Sequence, residues 1–378
     1  MKKVLFVANT DIHINLCYLP YMKYLKEHNY IVHVATNTGI TFEYCDKKIE
    51  IPISRKPLKF GNISSIFKLK RVIKKEKYDL ITVSTPMGSV VGRLAAKSAR
   101  KNGTKVMYTA HGFHFYKGSS FISKIIYYPI EKYLMKVTDL LVTINEEDYE
   151  FALKHFHIKT KFIKGIGFQN KKFENKLSKK EQISLRKNLE ISKNDYVISY
   201  IAELSNRKRQ KYLIKNIKNM DLKDIKLLLV GNDTLDDKIY KLVKKFHLEN
   251  KIKVLGFRND ISNILDISEL IISVSKQEGL PLNIMEAMKK EKPIIVTDCR
   301  GNRDLIKNGI NGTVVPVYNF KLLKQSITYL KENKSVAMKL GKANKDIVNE
   351  YSIEKILPQY VELYNELLDG DTYEKNLV

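Results

Sequence analysis

Cysteine is scarce in this sequence. Three occur in 378 residues, Cys17, Cys45 and Cys299, and no two stand at the spacing of a redox pair or a metal-binding motif. That excludes a disulfide-stapled scaffold, gives no reason to expect a zinc site and suits a reducing compartment. Long apolar runs are missing too: no window reaches the ~18 consecutive apolar residues of a membrane-spanning helix. The start, "MKKVLFVANT", has lysines before an apolar run, as a secretory leader does. The run is only "VLFVA" before Asn9, Thr10 and Asp11, short of the ~7–15 residues of a leader's apolar region. It reads as a buried first strand, in a protein expected to stay in the cytoplasm. Low-complexity segments, long flexible linkers and helix-turn-helix, RRM or KH signatures are also lacking.

Acidic residues are in deficit. Lys and Arg number 67 against 41 Asp and Glu, a net charge of +26. The excess is denser in the first half and peaks in "SRKPLKFGNISSIFKLKRVIKKEKY". Such a surface attracts polyanions: nucleic acid, anionic lipid or phosphorylated substrates. A lysine-, asparagine- and isoleucine-rich composition with solvated charged faces accounts for most of the excess equally well. Apolar content of 44% and charged content of 29% are those of a soluble globular protein, long enough for two domains.

Present in quantity are short β-branched runs, each followed by a longer helical pattern. The first half has "KVLFVA", "IVHVAT", "DLITVS", "KVMYTA" and "DLLVTI"; the second has "YVISYIA", "IKLLLVG", "KIKVLG", "LIISVS" and "PIIVTD", with a last signal at "GTVVPV". The runs are apolar throughout instead of alternating, as parallel strands covered on both faces are. Amphipathic segments such as "LPYMKYLKEHNY" and "DDKIYKLVKKFHL" lie between them. The expected fold class is α/β: two Rossmann-like, doubly wound domains whose parallel sheets face each other across a cleft. The alternation falters after "GIG", near residues 165–172, which sets the domains at 1–165 and 166–351. A final helical pattern at about 352–370, interrupted at Pro358, is expected to pack back on the first domain.

In doubly wound sheets ligands collect beyond the carboxyl ends of the strands. "HGFHFYKG" follows one strand and places His111 there beside Gly112; "ELSNRKRQ" follows another, with Arg207, Lys208 and Arg209 close together. After "LIISVS" comes "KQEGLPLNIMEAMKK", with Glu278 ahead of a Gly279-Leu280-Pro281 turn and Glu286 inside a helix. Glycine permits close backbone approach, and proline is favoured at a helix's first position. The unpaired N–H groups of such a helix start make an anion site. A diphosphate placed there, with Lys208 and Arg207 as counter-charges, leaves Glu286 to accept two ribose hydroxyls and Glu278 to face a sugar on the far phosphate. Taken without their neighbours, the two glutamates would be ordinary surface carboxylates decorating a helix.

"EGLPLNIMEAM" resembles the E-x7-E signature of retaining GT-B glycosyltransferases of family 4. "TPMGSVVGRLAAKSARKNGTKVMYTAHGFHFYKG" and "YYPIEKYLMKVTDLLVTINEEDYEFA" are similar to the bacterial exopolysaccharide and capsule branch of that family. The resemblance runs from "KVLFVAN" to the final helix, and the long N-terminal strings are more specific than the glutamate spacing. It implies that Glu278 contacts donor-sugar hydroxyls and Glu286 the donor ribose. It further implies that Lys208 binds the diphosphate, that Leu282 and Asn283 offer backbone N–H groups to the distal phosphate, and that Phe257 and Arg258 pack on a uracil. It makes His111 the histidine that contacts the donor sugar, grouped with Glu278 as catalytic. Asp11 and His13, from the N-terminal loop, and His114 and Tyr116, after His111, are the acceptor-side candidates. Two departures stand out. Glu203 occupies the family's usual arginine position, leaving Arg207 or Arg209 to supply the charge, and "GIGFQN" lacks the usual aspartate.

The resemblance implies a UDP-sugar donor carrying a hexose or N-acetylhexosamine, and a lipid-diphosphate-linked sugar acceptor in cell-surface glycan synthesis. It implies no obligatory cofactor; Mg2+ is compatible but not required, and no metal ligand set is assigned. "FISKIIYYPIEKYLMKV" interleaves aromatics and lysines on an apolar face. With the basic first half it points to peripheral attachment at an anionic membrane surface, on the inner face of the plasma membrane. The rival readings are a basic nucleic-acid-binding protein, which the missing signatures count against, and a GT-B relative that binds sugar nucleotides without catalysis.

Overall fold

A computed structural model describes residues 1–54, 60–218, 220 and 224–370; part of the basic peak, residues 55–59, lies outside them. The chain divides into two compact units. One comprises Met1–Gly167 with the helix Ile353–Asp369, and the other is Phe168–Ser352.

The first unit holds a seven-stranded sheet of β1 (Lys3–Val7), β2 (Ile31–Thr36), β3 (Lys47–Glu50), β4 (Leu80–Val83), β5 (Lys105–Ala110), β6 (Leu140–Thr143) and β7 (Thr160–Phe162), in the order β3-β2-β1-β4-β5-β6-β7. The second holds β8 (Tyr196–Ile201), β9 (Ile225–Val230), β10 (Ile252–Gly256), β11 (Leu270–Ser273), β12 (Ile294–Thr297) and β13 (Thr313–Val315), in the order β10-β9-β8-β11-β12-β13. Every pairing is parallel. The order reverses between β1 and β4 in one sheet and between β8 and β11 in the other. At such a switch point the crossing helices diverge to opposite faces and leave a crevice.

The continuous apolar runs are explained by where alternate residues go. In the second unit Ile198, Tyr200, Leu227, Leu229 and Ile272 enter one core. Val197, Ile201, Leu228, Val230 and Ile271 enter the core on the opposite face. With both faces covered by helices, apolar residues dominate both sides, and the buried Ser199 and Ser273 sit there within hydrogen-bond reach of other serines. The short edge strands β3, "KKIE", and β7, "TKF", carry lysines, a pattern that discourages further pairing at a sheet edge.

The helix Ile353–Asp369 runs through Pro358 without a break, contrary to the interruption expected there. Proline removes the N–H that would bond the carbonyl of Glu354, and both residues face solvent, so water serves that carbonyl. On the first unit this helix sets Tyr360 and Tyr364 edge-on to Tyr21 at ring separations of 4.9 and 6.4 Å.

Candidate active site

In the second unit the loops beyond β8 and β11 meet at the switch point, tied by the Lys276 N–H donating to the Arg207 carbonyl at 3.1 Å. Glu278 is buried between them. Lys208 Nζ donates to its Oε1 at 2.6 Å and Arg207 Nη1 to its Oε2 at 2.9 Å. Burial works to raise this carboxyl, but the Lys208 and Arg207 charges outweigh it and hold it below the ordinary glutamate value. Lys208 is buried with it, while Arg207 stays part-exposed. The Tyr200 hydroxyl fixes the lysine's backbone, donating to the Lys208 carbonyl at 2.7 Å, and lies 2.9 Å from Ser275 Oγ.

The helix Leu282–Lys289 begins just after this carboxylate, with Pro281 as its cap residue, one position before the first helical one, and no side chain capping its amides. Asn283 Nδ2 instead donates to the Ile201 carbonyl at the end of β8, at 2.7 Å. Uncapped N–H groups beside two cations make this helix start suited to an anion. The Gly279-Leu280 turn packs tightly: a Cβ on Gly301, whose φ is +78°, would stand 2.4 Å from the Gly279 carbonyl oxygen. Leu280 and Leu282 lean on the core. One to two turns on, Glu286 is part-buried. Burial pushes its carboxyl up to about 7, with the Lys172 charge opposing.

The remaining donor-side candidates are spread out. Phe257 is 65% exposed beyond β10, and Arg258 next to it is locked in a two-bond ion pair with Asp260 at 2.7 and 2.6 Å. Arg209 is committed elsewhere: its guanidinium lies 4.1 Å from the Tyr212 ring and 4.5 Å from that of Tyr318 and donates to the Val317 carbonyl. Arg207 is thus the arginine that joins Lys208 at Glu278. Linear reading missed Arg300, which is buried and donates from Nε to the Glu278 carbonyl at 3.0 Å. It follows β12, so the strand-end rule would have found it.

In the first unit His111 follows β5. The Tyr18 hydroxyl lies 2.9 Å from His111 Nε2, a partner that no sequence window could reveal. The His13 ring stands edge-on to it, with centroids 4.5 Å apart. Burial, aided by His13, holds the His111 imidazole well below the ordinary histidine value, so it is neutral at pH 7. Cys17 Sγ lies 3.8 Å from His13 Nδ1, and burial pushes the Cys17 thiol up to about 12. Asp11 turns inward, where its Oδ1 accepts from Lys48 Nζ at 2.6 Å and from Thr36. His13 and His114 line one cavity of about 400 Å3, and Tyr116 lines a separate aromatic one of about 430 Å3 with Phe115, Tyr128 and Phe151. Gly88 lets the helix Pro86–Ala96 pack closely on the end of β1: a Cβ there would be 2.9 Å from the Ala8 backbone.

Residues 181–347 match a family model described as glycosyl transferases group 1, and residues 3–145 one described as glycosyl transferase 4-like. Over the full length of both chains, 36% of residues are identical to the putative glycosyltransferase EpsD of Bacillus subtilis. The UDP-Gal:alpha-D-GlcNAc-diphosphoundecaprenol alpha-1,3-galactosyltransferase of Escherichia coli is 27% identical over 89% of this chain and 88% of that one. The crystal structure of Anabaena HepE with UDP and glucose has the same fold, with a TM-score of 0.79 at 20% identity over 97% of this chain and 100% of that one. The chain belongs to the group 1, family 4-like glycosyltransferases, enzymes of GT-B fold.

Proposed function

We propose that the chain moves a sugar from a UDP-sugar to a lipid-diphosphate-linked sugar, with retention at the anomeric carbon, in surface-glycan synthesis. The observation that carries this reading is the buried Glu278 clamped by Lys208 and Arg207 at the head of an uncapped helix that carries Glu286. A diphosphate at the helix start draws the two cations from Glu278, and the freed carboxylate accepts hydroxyls of the donor sugar. Glu286 accepts from the ribose. The donor's C1–O bond breaks with its electron pair passing to the diphosphate oxygen, where Lys208, Arg207 and the helix amides stabilise the growing charge. The acceptor hydroxyl bonds to C1 on the same face, and its proton passes to the departing phosphate oxygen. In the first unit the neutral His111 imidazole suits sugar hydroxyls, which can both donate and accept.

The donor and acceptor in this reading are supported by a relative's name: the Escherichia coli relative is named for UDP-galactose and a diphosphoundecaprenol acceptor. Attachment to anionic membrane is supported by the helix Phe121–Met135, which exposes Phe121, Ile122, Ile125 and Ile126 among lysines. The test is a panel of UDP- and GDP-sugars offered with a polyprenyl-diphosphate-linked sugar, with the product's anomeric signal read by NMR. The reading expects one UDP-α-sugar to be consumed and an α-linked product. A β-linked product would remove the retaining mechanism, and turnover of a GDP-sugar alone would remove the donor.

A further inference from the structure

His13, Cys17 and His111 each offer one ligand atom, and all of these atoms lie within 4.8 Å of one another. Two of the three are set by the helix Asp11–Cys17, where positions four apart share a face. The third arrives from the end of β5, its ring held by the Tyr18 hydroxyl at 2.9 Å, as outer partners hold metal-binding histidines. Tetrahedral zinc, with bonds of about 2.3 Å to sulfur and about 2.05 Å to nitrogen, sets S···N at about 3.5 Å and N···N at about 3.3 Å. Cys17 Sγ and His13 Nδ1 already stand at 3.8 Å. His111 completes the set with a side-chain shift of at most about 1.5 Å. Two imidazoles and a thiol, with no carboxylate, favour zinc-class cations and disfavour Mg2+. The 400 Å3 cavity that His13 and Cys17 line gives entry and room for a water as fourth ligand.

We propose that His13, Cys17 and His111 form a binding site for a zinc-class divalent cation, and that filling it inhibits the enzyme by withdrawing His13 and His111 from the sugar-handling pocket. Binding exchanges the thiol proton, released to solvent, for the sulfur–metal bond. The binding half stands on geometry alone; only the inhibition half rests on the transferase reading.

Cobalt(II) serves as the probe. One equivalent per chain should produce the thiolate-to-cobalt charge-transfer band and the intense visible bands of a tetrahedral site, and zinc should displace it. Cys17→Ala, confirmed as folded by its melting curve, should lose the charge-transfer band and bind at least tenfold more weakly. Read as a fraction of its own zinc-free rate, sugar transfer by the same variant should resist zinc inhibition at least tenfold better than transfer by the native protein. No band at one equivalent, or a band that survives in Cys17→Ala and so belongs to Cys45 or Cys299, overturns the site. Full cobalt and zinc binding without loss of transfer overturns the inhibition. A protein with no transfer activity at all would count against the transferase reading and leave the cobalt result decisive.

Discussion

Glu286 sits part-buried on the helix Leu282–Lys289, and burial lifts its carboxyl to about 7. A carboxyl raised on folding favours the protonated native state, so this group's contribution to stability falls as pH rises from the unfolded value of ~4.3 through about 7. In the proposed function ligand binding runs the other way, because there the ionised carboxylate accepts two ribose hydroxyls. Affinity for uridine, which has no phosphate to titrate, should therefore rise between about pH 6 and pH 8. The rise should vanish in Glu286→Gln; calorimetry across that range checks it, and a flat profile in the native protein would remove Glu286 from the ribose. At this scale, residues in the loops that follow strands were legible: Glu278, Lys208 and His111 all obey the strand-end rule. What remained hidden were partners supplied by other segments. Tyr18 meets His111 across the fold, and His13 and Cys17, four apart on one helix, meet a His111 that no linear spacing connects to them.

Among the elements, the helix Phe121–Met135 combines an exposed apolar face with one buried charge. Glu131 points inward and accepts from Arg93 of the helix Pro86–Ala96 at 2.7 Å, and the fully buried guanidinium lies 4.1 Å from the Tyr108 ring. Removing the carboxylate leaves that guanidinium buried without its counter-charge. Glu131→Ala should destabilise the protein by about 3–5 kcal/mol, a loss that denaturant unfolding would read. A change below about 1 kcal/mol would mean that water relieves the arginine. The main strands were visible in the sequence because burial on both faces makes their runs continuously apolar. β3 and β7 were not, because short lysine-bearing edge strands give no apolar run to detect. Pro358 misled because the carbonyl it leaves unbonded, on Glu354, lies on the exposed face where water can reach it.

Over the whole molecule the net charge of +26 and the exposed apolar face predict attachment to anionic vesicles. Among the described residues no helix is long and apolar enough to cross a membrane. Flotation with anionic vesicles should weaken when ionic strength is raised roughly tenfold. It should fall further in Ile122→Ser with Ile126→Ser, while neutral vesicles bind poorly throughout. Vesicle binding indifferent to both salt and the double substitution would set the membrane proposal aside. The two-unit architecture was legible from strand–helix alternation, whereas the charge alone left nucleic acid, lipid and phosphorylated substrate equally open. The proposed function requires Glu278 to release Lys208 and Arg207 to a diphosphate, and calorimetric titration with UDP tests that directly. Lys208→Met should weaken UDP at least tenfold. Glu278→Gln, if its melting curve shows it folded, should bind UDP as tightly as the native protein or more tightly while sugar transfer falls roughly 10²–10³-fold. UDP affinity unchanged in Lys208→Met, or lost in a folded Glu278→Gln, would contradict it.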